Sequence, residues 1–186
     1  MQKSESTSNM LNIIIKADCV NPRDKWVDLD HVWQDPENLD HFADSFIEYL
    51  SQYKERISFN KIVVAVKVYG PFGVLPIVAV CSAKANIPFV IWKEWARPAT
   101  GGSILYGSID DGDELLIVHD VINYGGTIVK EKEELETFAQ GKKYKIVGVL
   151  SIIMREQKGF DFAKERLKIP VEAIISWQEL AQRFAS

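Results

Sequence analysis

A histidine and an aspartate, His119 and Asp120, stand a few residues ahead of Gly125, Gly126 and Thr127. Each of these types suits one piece of chemistry. Paired glycines opening a helix leave amides without intrahelical partners, and those amides with the helix dipole favour an anion by roughly 0.3–2 kcal/mol. A phosphate fits that description. Asp120 can accept hydrogen bonds from sugar hydroxyls or stand beside a hydrated divalent cation, which takes one or two carboxylates together with phosphate oxygens. His119 can donate to or accept from a ribose hydroxyl, or be merely structural, since an imidazole does not supply a carboxylate's charge beside a metal. Asn123 and Tyr124 complete the turn. Tyr124 either points away and leaves the amides available or stacks on a ligand ring. As a set, these residues suit a phosphorylated ribose.

Such a constellation needs a strand to carry the acid and a helix to aim the amides. Leu115 to Val118 is an aliphatic, β-branched run of the kind buried on both faces of a parallel sheet. After Thr127 the chain turns helical in composition, with apolar spacing at Ile128, Leu135 and Phe138. A second strand, Lys61 to Val68, runs into a loop with Tyr69, Gly70, Phe72 and Gly73, followed by a helix over Pro76 to Ala85. Its glycines permit close backbone approach to an anion, or form a plain turn; the spacing is not that of a dinucleotide fingerprint. Phe89 to Trp92 is a short strand that leads into a long aperiodic segment, Lys93 to Gly107, of the sort that forms lids and binding loops. Lys145 to Met154 is another buried strand, and Arg155 falls at its carboxyl end, where open α/β sheets place their active groups.

Flanking segments complete the pattern. Residues 1–10 are polar and Ser-rich and read as a disordered tail, Asn12 to Val20 as a short strand, and Asp35 as the N-cap of a helix with Pro36 in its first turn. Near the end come a short helix (FDFAKERL), a strand from Val171 to Ile175, and a capping box opening a last helix at Ser176. Alternating strands and helices with short connections predict a parallel sheet covered on both faces.

At 186 residues and 47% hydrophobic, the chain can fill one domain's core. A net charge of −4 with no basic block argues against nucleic acid as partner. No run approaches the ~20 apolar residues of a membrane span, and the start lacks a signal peptide's apolar core, so a cytoplasmic protein is expected. Cys19 and Cys81 have no neighbouring cysteines or clustered histidines, and both read as reduced and structural. His31 and His41 read as ordinary surface or core histidines.

The central stretch resembles the phosphoribosyl pyrophosphate (PRPP) motif of type I phosphoribosyltransferases. That motif has a hydrophobic run, an acidic pair, two hydrophobics, two threonine-like residues and Gly-Gly-Thr. Asp120, Val121, Ile122, Gly125, Gly126 and Thr127 match, whereas His119 stands at the first acid, and Asn123 and Tyr124 replace the small hydroxyl residues. Within that family the chain is most similar to orotate phosphoribosyltransferases. Trp26, Val27, Asp28 and Leu29 match the end of their β hood, and Asp35, Pro36 and Glu37 match the helix opening that follows. Lys93, Glu94, Gly101 and Gly102 match their mobile catalytic loop, but Trp92, Ala96 and Pro98 stand where that loop has arginine, lysine and histidine. The family's base-contacting lysine has no counterpart in the shortened hood.

The resemblance implies a single-domain α/β fold, with a central parallel sheet flanked by helices and a small N-terminal β hood. The boundaries expected are a tail over 1–10, a hood over 11–34 and a core over 35–186. It implies transfer of phosphoribosyl from PRPP to an orotate-like nucleobase, with Mg²⁺ reaching Asp120 through water, usually in a homodimer. PRPP or a nucleoside monophosphate would lie on Asp120, Asn123, Tyr124, Gly125, Gly126 and Thr127 with His119, its pyrophosphate on Tyr69, Gly70, Phe72 and Gly73, and the base on Arg155. Lys93 and Arg97 would be catalytic. Arg97 is the only cation left in the lid's middle, and it is either the group that stabilises departing pyrophosphate or a solvated arginine. The substitutions also leave room for a catalytically silent sensor of PRPP or nucleotide.

Overall fold

The computed structural model describes residues 4–66, 73–93, 105–138 and 141–184. It begins with a helix where a tail and a strand were expected. α1 spans Glu5–Lys16, and only Val20–Asn21 (β1) is extended, paired antiparallel with β2 (Trp26–Val27). Ser4 caps α1 by accepting a hydrogen bond from the Thr7 amide at 3.3 Å, and Met10, Leu11 and Ile14 bury one face in the core. Packing at helical spacing overrides the strand preference of Ile13 to Ile15, because propensity is the weaker influence. A short helix, α2 (Asp30–Trp33), then leads into α3 (Pro36–Lys54), whose N-cap Asp35 accepts from the Glu37 amide at 2.9 Å.

The main sheet follows as β3 (Lys61–Val66), β4 (Phe89–Lys93), β5 (Leu105–Tyr106), β6 (Glu114–Ile122), β7 (Lys145–Met154) and β8 (Val171–Ser176). Between them lie α4 (Leu75–Ala85), α5 (Gly126–Phe138) and α6 (Gln157–Leu167), and α7 (Trp177–Phe184) ends the chain. Ser176 and Glu179 form the capping box of α7, with the Ser176 amide donating to the Glu179 carboxylate at 2.7 Å. The spatial order is β5-β4-β3-β6-β7-β8, parallel except for the antiparallel pair β4–β5. That edge strand takes up part of the segment expected to be lid.

Strand order reverses direction between β3 and β6. Ligands of open α/β sheets bind outside the carboxyl ends of strands at such a point. Two cores cover the sheet. Leu116 and Val118 join Ile77 and Val78 of α4 and the buried faces of α1 and α3 on one side, whereas Leu115 and Ile117 join Ile128 and Leu135 of α5 on the other. At the amino ends of the same two strands, the Lys61 ammonium meets the Asp113 carboxylate at 2.5 Å, both largely buried, and also donates to the Ser108 carbonyl at 2.8 Å. Lys61→Met leaves that carboxylate without its cation, so urea unfolding should show a loss of about 3–5 kcal/mol. A loss below about 1 kcal/mol would mean the pair does not hold these strand ends.

Candidate active site

β6 runs through Ile122, so the turn beyond it is Asn123, Tyr124 and Gly125. Gly125 takes φ +75°, a conformation that favours glycine, and α5 starts at the next residue. Gly126 and Thr127 are exposed, and Tyr124 is 79% exposed, so the ring turns outward from the turn. A Cβ built on Gly126 would meet nothing within 4 Å. The first turn of α5 therefore faces open space with its amides unused by the helix, the geometry an anion needs.

Asp120 lies on the opposite face of β6 from α5. Its Oδ1 accepts from the Val121 amide at 2.6 Å, while its Oδ2 would lie only 2.8 Å from a Cβ on Gly73, whose φ is +56°. The backbone leading into α4 thus passes directly against this carboxylate, at a positive φ that favours glycine. Asp30, from the hood's α2, joins them. Burial, then the neighbouring charges of Asp28 and Asp120, hold its carboxyl above the ordinary range, opposed by a hydrogen bond from the Gly73 amide. Its Oδ1 is buried without a hydrogen-bond partner among the described residues. Sequence reading missed Asp30, and the motif around Trp26 to Leu29 contains no signal for it, because a four-residue helix delivers it.

His119 points the other way. Its Nε2 lies 2.5 Å from the Glu131 carboxylate on α5, with Glu131 only 3% exposed. The expected ribose contact is therefore not what this side chain makes here; it is tied beneath α5. Glu131 was also missed, since it sits in a charged run, KEKEELE, that reads as a solvated face.

Arg155 leaves β7 beside the Asn123–Gly125 turn, its amide donating to the Ile122 carbonyl at 2.8 Å. Its guanidinium lies 5.7 Å from the centroid of the Trp26 ring, which is 51% exposed on the hood hairpin. Beside it, Lys25 pairs with Glu156 at 3.2 Å. Trp26 is a further residue that sequence reading placed in the hood but not in the site. Lys93 ends β4 with its ammonium 5.8 Å from the centroid of the Tyr106 ring. Tyr69, Gly70, Phe72 and Arg97, and with them the matching lid residues Glu94, Gly101 and Gly102, lie outside the described residues. Asp120, Gly73 and the Gly125–Thr127 turn are thus gathered at the switch point, with Arg155 on the neighbouring strand end.

Among the described residues, no group of three or more His, Cys, Asp or Glu side chains is placed to hold a metal ion. The donors at Asp120 and Asp30 fit instead a hydrated divalent cation that arrives with phosphate oxygens. Cys19 and Cys81 are free and buried, and burial pushes both thiols up to about 12. No described helix is long and apolar enough to cross a membrane.

Comparison with known proteins places this geometry. The chain is 28% identical over 135 residues to an orotate phosphoribosyltransferase of Thermococcus gammatolerans, covering 72% of this chain and 65% of that protein. With the Pyrococcus horikoshii enzyme of the same name it shares 27% over 92 residues, 49% of this chain and 47% of that one. The matched stretch thus spans about half to two thirds of these relatives. No family model matches the chain. Among solved structures, an orotate phosphoribosyltransferase from Aeropyrum pernix superposes with a TM-score of 0.67 at 16% identity, over 95% of this chain and 99% of that one. The Mycobacterium tuberculosis protein solved with PRPP gives 0.66 at 13% identity, over 96% and 93%. The fold is that of the type I phosphoribosyltransferases. Within that class the chain resembles the orotate phosphoribosyltransferases.

The Asp30 environment has a testable consequence for stability. A carboxyl raised in the folded protein favours its neutral form there, so its charged form costs stability as pH rises above the ordinary value of 3.8. Asp30→Asn, neutral at every pH, should melt higher than the parent at pH 7. That gain should vanish as pH falls below about 4. Thermal melts at both pH values decide it, and a variant no more stable at pH 7 would contradict the assignment.

Proposed function

We propose that the chain binds PRPP or a nucleoside monophosphate between the carboxyl ends of β3 and β6 and transfers phosphoribosyl to a nucleobase such as orotate. In that reaction a base nitrogen loses its proton to solvent and forms the bond to the ribose carbon. The bond to the pyrophosphate oxygen breaks, and its electron pair departs with pyrophosphate. The observation that carries the reading is the open first turn of α5 behind Gly125, set at the sheet's switch point beside Asp120. The 5′-phosphate would lie on the Gly125, Gly126 and Thr127 amides, with Asn123 and Tyr124 flanking it. Asp120 would accept from the ribose hydroxyls. Gly73, with Tyr69, Gly70 and Phe72, would face the pyrophosphate. Mg²⁺, if it accompanies PRPP, would stand near Asp120 through water and neutralise pyrophosphate charge there.

Arg155 and Trp26 form the base side. A planar, anionic heterocycle suits a guanidinium already placed over an indole, because the same cation can meet its carboxylate while the ring contacts an aromatic face. Lys93 and Arg97 are the proposed cations for departing charge. The homodimer is also a proposal, supported by the resemblance alone.

A sensor that binds without turnover is the second reading, favoured by one observation. His119 is engaged with Glu131, so the strand end offers the ligand one carboxylate where the motif has a pair. Incubation with Mg²⁺, PRPP and a panel of bases, following nucleotide formation, separates the two. Turnover with orotate eliminates the sensor, whereas a silent panel with intact PRPP binding eliminates the enzyme. If turnover is seen, Arg97→Ala should lower kcat at least tenfold with PRPP affinity nearly intact, a loss of about 1.4 kcal/mol or more in transition-state stabilisation. Asp120→Ala should weaken PRPP binding by about 1.5–3 kcal/mol by calorimetry. Equal binding by that variant and the parent would refute the ribose contact.

A further inference from the structure

Two glycines from different elements meet where the phosphate turn touches α6. A Cβ built on Gly159 would overlap the Asn123 carbonyl oxygen and lie 2.7 Å from the Tyr124 Cα. A Cβ on Gly125 would in turn overlap the Gly159 carbonyl oxygen and come 3.2 Å from the Ala163 Cβ. Backbone therefore packs on backbone, with no side chain to yield. A glycine inside a helix is unfavourable, so its presence in the first turn of α6 answers to this contact. The helix itself is fixed, since Phe160, Ala163 and Leu167 bury its other positions in the core beside α5.

We infer that Gly159 is a positioning residue that sets the phosphate turn in register with the base-side arginine. Four residues before Gly159 stands Arg155, whose amide is bonded to Ile122 at the start of the same turn and whose guanidinium lies over Trp26. The seam thus joins the groups that would hold the two ends of one nucleotide. A methyl at position 159 pushes Asn123 and Tyr124 away and moves the α5 amides relative to Arg155. The loop at Gly73 is spared, because it contacts Asp120 and Asp30 on the other face of β6.

The inference rests on reading the turn as a phosphate cradle, and calorimetry on the full chain separates the two. Uridine 5′-monophosphate and inorganic pyrophosphate, each with Mg²⁺, are the probes. The parent should bind both. Gly159→Ala should weaken the monophosphate at least tenfold and leave pyrophosphate within about twofold, a split that general loss of structure does not produce. Unchanged monophosphate affinity overturns the positioning role, and so does equal weakening of both ligands. A parent that binds no monophosphate overturns the cradle itself and this inference with it. Should Gly159→Ala fail to fold, Ala163→Ser crowds the same seam from the next turn of α6 by one atom. It should weaken the monophosphate severalfold with pyrophosphate unchanged, and parent-like affinity for both would overturn the proposal.

Discussion

Neighbouring residues of a strand face opposite sides of its sheet, and on β6 that alternation governs the site. Because the strand continues through Ile122, His119 and Asp120 cannot both address one ligand. Asp120 faces the α4 side, against Gly73, while His119 enters the core under α5. A buried imidazole needs a hydrogen-bonding partner, and Glu131 supplies it. Glu131 belongs to α5, so the contact also ties the cradle helix to the strand that carries Asp120. The residue that departs from the acidic motif thus couples strand and helix, and the aim of the first-turn amides depends on that coupling.

Charge around the cradle is mixed by design of the fold. Asp28, Asp30 and Asp120 crowd the entrance to α4, enough to hold the Asp30 carboxyl above its ordinary range. A bare anion is disfavoured there unless a cation accompanies it, whereas the free amides at α5 favour one. The dipole term at a helix N-terminus is worth roughly 0.3–2 kcal/mol and acts within its first turn, so an anion without its own cation is favoured at Gly126. Hydroxyls, or a cation brought with phosphate oxygens, suit the acidic side. A phosphorylated sugar carries both kinds of group.

Much of this was legible in the sequence, and what was not has identifiable physical causes. Continuous aliphatic runs marked β3, β6 and β7, and Asp35 with Pro36 and Ser176 with Glu179 marked helix starts, because period and capping are local signals. The Gly-Gly turn and Asp120 were read as a site, and the structure brings them to the sheet's switch point. α1 was misread because Ile13 to Ile15 favour a strand locally, while burial of Met10, Leu11 and Ile14 decides otherwise. His119 was read as a ribose contact or as structural because it stands at the motif's first acid; β6 runs on through Ile122, and the alternation that buries Leu115 and Ile117 under α5 buries His119 there too. Asp30, Glu131 and Gly159 act through contacts made far along the chain, which composition and spacing do not encode.

The hood shows how unequal forces share one task. Its tip touches the core through the exposed Lys25–Glu156 pair, of a kind typically worth 0–1 kcal/mol, and through Arg155 over Trp26, where a partly exposed cation–π contact adds about 0.5–1 kcal/mol. Its base is another matter. Val20, Val27, Leu29 and Val32 are buried in the main core, and fully burying such side chains contributes about 1.5–3 kcal/mol each. The hairpin's position is therefore set by its buried base, and its tip contributes orientation rather than anchorage. Asp30 sits at the anchored end, beside Gly73 and Asp120, whereas Trp26 sits at the weakly held end, beside Arg155. The hood is held most firmly beside Gly73 and Asp120, where its buried base meets the core. It is held less firmly beside Arg155, where an exposed ion pair and a cation–π contact join it to the core.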